Sequence, residues 1–142
     1  MLHLIKLAVG CATAEDLAER QKARIKADPP LRHQTRNLPR RAEEIVGRGS
    51  LYWVIGGFIQ VRQRIVAIEP DVWDDGSACC GLHLDQKLVP VQLRPVKPFQ
   101  GWRYLEGPDA PPDLSRGAQA SARSVAAMPA RLRRELAELG LL

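Results

Sequence analysis

The spacing of apolar and polar positions changes period several times along this chain, and each change marks an element. At the start, His3, Ile5, Leu7 and Val9 alternate with Leu2, Leu4, Lys6 and Ala8, and only His3 and Lys6 break the apolar character. Apolar residues in both registers of a two-residue period predict a strand over 2–9 that is buried on both faces. Thr13 then opens a capping signal, with Glu15 and Asp16 where the positive end of a helix dipole favours acids. A helix over 14–27 follows, with a narrow seam at Leu17, Arg20, Arg24 and Ile25, and Pro29-Pro30 ends it. Residues 31–38, LRHQTRNL, read as a loop. A second helix is expected from Pro39, which suits a first helical position, to a stop at Gly47.

The stretch SLYWVIGGFIQVRQRIVAIE carries the β-branched and aromatic content of strands, divided by Gly56-Gly57, which fits a tight hairpin turn or a bulge. WDDGSACC sets a turn at Asp74–Gly76 ahead of a strand over 78–84, and Pro90 confines the extended segment 88–93 to an edge or a bulge. In the octet PFQGWRYL, alternation puts Phe99, Gly101 and Arg103 on one side and Gln100, Trp102 and Tyr104 on the other. Beyond it, GPDAPPDLSRGAQASARS has the composition of a loop or linker. The terminal PARLRRELAELGLL places Leu132, Leu136 and Leu139 on one helical face. The expected architecture is therefore α+β. An α+β core over 1–114 holds a mixed β-sheet or small β-barrel of five or six strands with flanking helices. A linker and C-terminal helix over 115–142 would dock on that core or on a partner protein.

Composition narrows the setting. At 142 residues and 45% hydrophobic, the chain is about one domain with enough apolar material for a core. The net charge of +5 fits contact with phosphate or another anion. It is uneven: residues 1–49 hold ten Lys/Arg against six Asp/Glu, whereas residues 50–114 hold six against eight. Three cysteines, Cys11, Cys79 and Cys80, are an odd number and read as reduced thiols, hence a cytoplasmic protein. MLHLIKLAVG lacks the basic region and unbroken apolar run of a signal peptide, and no stretch reaches the roughly 18 apolar residues of a membrane span.

Two groups of residues could carry chemistry. Along 58–69, a period of two puts Gln60, Arg62 and Arg64 on one sheet face, a basic strip suited to a phosphate backbone or an ordinary solvated face. Arg36 and Arg103 could add phosphate contacts, while Trp102 and Tyr104 could stack a base or close the core. His33, with Arg40 and Arg41 at the start of the second helix, forms a candidate anion site. Cys79-Cys80 with His83 and Asp85 lacks the paired spacing of a zinc site, so no metal is expected. No GxGxxG, Walker loop or GxSxG is present, and no cofactor is expected. The leading function is a nucleic-acid or nucleotide-binding module with RNA or a nucleotide as partner. The alternatives are a small hydrolase using His33, Glu69 or Cys80, and an interaction subunit docking through Leu132, Leu136 and Leu139.

MLHLIKL, HQTR, LPRRAEEI, GSLYWVIGGFIQVRQRI and PFQGWRYLE with APPDL together resemble a family of small uncharacterised alphaproteobacterial proteins of about this length. The resemblance spans nearly the whole chain and implies no catalytic residue. A second likeness, through the helix ending at Gly47 and the strand pair with Arg62 and Arg64, is to PUA and ASCH-type domains. It implies a small β-barrel with basic and aromatic side chains around an RNA- or nucleotide-binding cleft.

Overall fold

The two-residue alternations become seven strands in a computed structural model that describes residues 1–114. The expected linker and terminal helix, with Leu132, Leu136 and Leu139, lie outside the described residues. In chain order the elements are β1 (Leu2–Leu7), α1 (Ala14–Ala27), β2 (Arg32–Thr35), α2 (Ala42–Ile45), β3 (Ser50–Ile55), β4 (Phe58–Val72), β5 (Ala78–Leu84), β6 (Val89–Pro95) and β7 (Trp102–Glu106). A 3-10 turn, Gly107–Asp109, ends the series. The strands pair in the order β2-β5-β4-β3-β1-β7, with β6 added to β4. The β1–β3 pair is parallel and every other pair is antiparallel, so the fold is α+β on a mixed sheet. The expected barrel is corrected: among the described residues β2 and β7 do not pair, and the sheet is open.

The helix α1 has the predicted bounds. Thr13 accepts from the backbone of Asp16, and Asp16 reaches back to the backbone of Thr13, a reciprocal cap that satisfies two otherwise unbonded N–H groups. Two local readings change. The loop expected over 31–38 contains β2, because the free edge of β5 supplies the backbone partners that so short a segment cannot provide itself. The helix expected from Pro39 to Gly47 contracts to the four residues of α2, closed by Gly47 at φ 75°. Gly56 and Gly57, at φ 61° and 85°, make the tight hairpin that joins β3 to β4.

The strand β4 is the longest element. Its first half pairs with β3 on one edge and β6 on the other, and its second half pairs with β5. Val54 faces Ile59 but Trp53 faces Val61, so Gln60 is an extra residue in a bulge. Its buried side-chain amide donates to the Ile55 carbonyl at 2.7 Å. Both faces of the central strands are covered, as the doubly apolar β1 predicts. One core gathers Leu4, Leu51, Trp53, Ile65 and Leu82 beneath α1, and the other gathers Ile5, Tyr52, Val54, Ile59 and Phe99. No helix among the described residues is long and apolar enough to cross a membrane.

Candidate functional site: a basic groove on the second sheet face

Register decides which side chains can meet. His3, Ser50 and Arg64 lie in one cross-strand row, and Arg103, Ile5, Tyr52 and Arg62 in the next, all on the second face. Without the bulge at Gln60, the apolar face that Ile59 shares with Val54 would not line up with the arginine face farther along β4.

Over these rows lies a groove of about 630 Å³, within the range of about 300–1,000 Å³ common to small-molecule sites. Its floor is His3, Ser50 and Tyr52, all buried. The Ser50 N–H donates to His3 Nδ1 at 2.9 Å, so the proton of the neutral ring resides on Nε2. Burial first, and then nearby positive charge, push His3 below the ordinary imidazole value. The Tyr52 ring meets His3 edge to face at 5.0 Å, and burial raises its hydroxyl above the usual range.

The walls are charged. Arg62 grips Asp113 with two bonds of 2.7 Å, and a third N–H reaches Ser50 Oγ at 3.1 Å. Asp113 sits on the chain that follows the 3-10 turn, and a bridge to Val91 holds that segment along β6. The Arg62 guanidinium keeps the Asp113 carboxyl below its usual range. A depressed carboxyl contributes stability that is complete above its unfolded value near 4 and is lost as pH falls through the folded value, so this clamp is fully closed at neutral pH. Arg48, Arg64 and Lys87 also line the groove, are exposed, and form no ion pair among the described residues; the exposed Asp85, whose carboxylate accepts from the Lys87 backbone N–H at 3.0 Å, is the second acid of the lining beside Asp113.

The structure brings Arg62 and Arg64 together as expected from their spacing, but Gln60 leaves the strip for the bulge. Trp102 and Tyr104 lie across β1 from Lys6 and Leu4, on the first face, and pack against the core beneath α1. Their rings meet at 5.1 Å, Trp102 Nε1 donates to the Asn37 carbonyl, and the Tyr104 hydroxyl accepts from the Arg41 N–H. They therefore sit on the side of the sheet away from the two arginines. Arg103 shares the row of Arg62 but three strand spacings away, about 14 Å, and its guanidinium lies 4.7 Å from the Phe99 ring centre. Arg36 is exposed beyond the end of β2. Arg41 is held by Glu44 and Glu106, Arg40 is exposed before the short α2, and His33 lies on β2 against Trp53.

The three residues of the hydrolase alternative do not converge. His33 and Cys80 face the first core from β2 and β5, whereas Glu69 stands on the other side, 3.6 Å from His83. Burial, followed by the neighbouring Cys79 and Asp71, pushes the Cys80 thiol up to about 11, which keeps it protonated at neutral pH. Sequence reasoning missed Arg48 and Lys87, which come from turns that the fold lays beside β4. It also missed Asp113, whose only signal was its place in APPDL.

Fold and groove together define a class: a small α+β protein on an open mixed sheet with a cationic groove across one face. The chain belongs to the family described as "Protein of unknown function (DUF1489)", whose match covers residues 4–142. No curated protein and no solved structure matches it significantly.

Proposed function

We propose that the chain is a cytoplasmic nucleic-acid or nucleotide-binding module whose groove holds the phosphates of single-stranded RNA or of a nucleotide. The observation that carries this reading is the convergence of Arg48, Arg64 and Lys87, none of them ion-paired among the described residues, around a groove of nucleotide size. Three free thiols suit a reducing compartment.

Because Trp102 and Tyr104 lie on the other face, the groove offers phosphate contacts without a stacking platform. Binding should then be electrostatic and tolerant of sequence. For single strands each phosphate contact contributes about 0.7 to the slope of log K against log salt, so three contacts predict a slope of about −2. Fluorescence anisotropy with a labelled ten-nucleotide RNA should show this slope. Combining Arg48→Ala, Arg64→Ala and Lys87→Ala should bring it close to zero. Absence of binding at low salt sinks the proposal.

Asp113 competes with a phosphate for Arg62. Asp113→Asn should therefore free one further contact and tighten RNA binding about fivefold near 0.1 M salt. Weaker binding by this variant would show that Asp113 helps to build the groove and does not occlude it.

A further inference from the structure

A second cavity, of about 230 Å³, lies on the opposite side of the sheet, between α1 and the end of β1. Leu17, Arg20, Gln21 and Arg24 enter it from one face of α1, and Lys6, His33 and Trp53 enter from the strands. Its charge is of one sign. Lys6, Arg20, Arg24 and Arg32 line it and no Asp or Glu does; Arg32 is paired with Asp28 and Asp71, whereas the other three make no ion pair among the described residues. Arg20 is fixed at the rim: its guanidinium donates to the Val9 carbonyl at 2.7 Å and lies over Gly10, where a Cβ would come within 3.0 Å of it.

Inside, the His33 ring stands edge-on to Trp53 at 5.3 Å, and its Nε2 is buried without a hydrogen-bond partner. Burial first, then the charges of Lys6 and Arg24, lower this imidazole to about 4, so the ring is neutral at neutral pH. Burial likewise lowers the Lys6 ammonium. Buried polar groups are ordinarily satisfied, so the unpartnered His33 Nε2 calls for a hydrogen-bonding ligand, and the half-buried Lys6 with the exposed Arg20 and Arg24 at the mouth gives the cavity a positive field that suits an anionic one. Leu17, Leu31, Trp53 and Leu84 supply an apolar part of the lining. An apolar cavity of about 150 Å³ holds benzene, so this one has room for a ring and a carboxylate.

We propose that this cavity binds a small organic carboxylate with a compact apolar body. Lys6 and Arg24 neutralise the carboxylate, His33 Nε2 hydrogen-bonds to the ligand, and Leu17 and Trp53 pack against its body. The apolar lining and small volume favour such a ligand over a bare inorganic anion. The site does not depend on the groove, which lies across the sheet.

Benzoate is a suitable probe. In a titration followed by NMR, the His33 ring nitrogens and the Trp53 indole N–H should shift together and saturate. Benzamide, of the same shape but uncharged, should bind at least about tenfold more weakly, and so should benzoate to Lys6→Met or Arg24→Met. Arg24 is exposed on α1, so its variant retains the test if Lys6→Met fails to fold. The variant combining Arg48→Ala, Arg64→Ala and Lys87→Ala should bind benzoate unchanged, which separates this site from the RNA reading. Absence of saturable shifts up to about 20 mM benzoate, equal affinity for benzamide, or undiminished affinity in Arg24→Met overturns the proposal.

Discussion

Gly49→Ala is expected to destabilise the protein by about 3 kcal/mol or more. A Cβ at Gly49 would stand 2.1 Å from the Leu2 backbone oxygen and 3.2 Å from both the Ile45 carbonyl and Ile45 Cγ2. The residue cannot simply move aside. Its N–H donates to the Ile45 carbonyl at 2.6 Å, and its carbonyl accepts from Ile65 at 3.0 Å, tying the end of α2 to the middle of β4. Relief would push the start of β1 away from β3 and loosen the row that carries His3 and Ser50. Urea denaturation should show a large fall in midpoint with little change in slope. A variant within about 1 kcal/mol of the parent would mean that this turn yields to the added methyl.

The second large effect is expected at Gln63, which is fully buried in an otherwise apolar row. Its oxygen accepts from Trp53 Nε1 at 2.8 Å and from Gln21 Nε2 at 2.7 Å. Its amide nitrogen donates to Gln21 Oε1 at 2.8 Å and to the Asp85 carbonyl at 3.0 Å. Every hydrogen-bonding site of the side chain is thus used, and the indole N–H and the Gln21 amide depend on it. Gln63→Leu strands them in the core. At about 1–3 kcal/mol for a buried group left unpaired, the expected loss is about 3 kcal/mol. The double variant Gln21→Leu with Gln63→Leu should cost clearly less than the two single losses combined, because each single change orphans the partner that the other removes. Additive losses in the urea midpoints would contradict a shared network.

Much of this fold is legible locally. The doubly apolar run of β1, the cap at Thr13 and the paired glycines each act over a few residues, and each element appears where its signal lies. The element that was missed depends on a distant partner: β2 exists because β5 leaves an edge open. The expected stop at Gly47 holds, and α2 instead starts three residues later than Pro39, at Ala42. The site divides the same way. A spacing of two residues puts Arg62 and Arg64 on one face wherever β4 goes. The bulge at Gln60 leaves no mark in the sequence, because Ile59 and Val61 suit a buried face on either side. Only the pairing of β1 with both β3 and β7 shows that Trp102 and Tyr104 stand across the sheet from the arginines. Gln63, a single polar residue among Val61, Ile65 and Ala67, marks the buried network in the sequence, because a polar side chain kept in an apolar row needs partners.

The length of β4 also bears on how the molecule comes apart. Its first half is a middle strand between β3 and β6, and its second half carries β5, which in turn carries β2. Neither half of the sheet can detach without breaking this one continuous segment, so there is no seam for partial opening. Loss of structure should therefore be a single cooperative step, in which Arg62 and Arg64, mounted near the join, keep their relative placement until the whole sheet gives way.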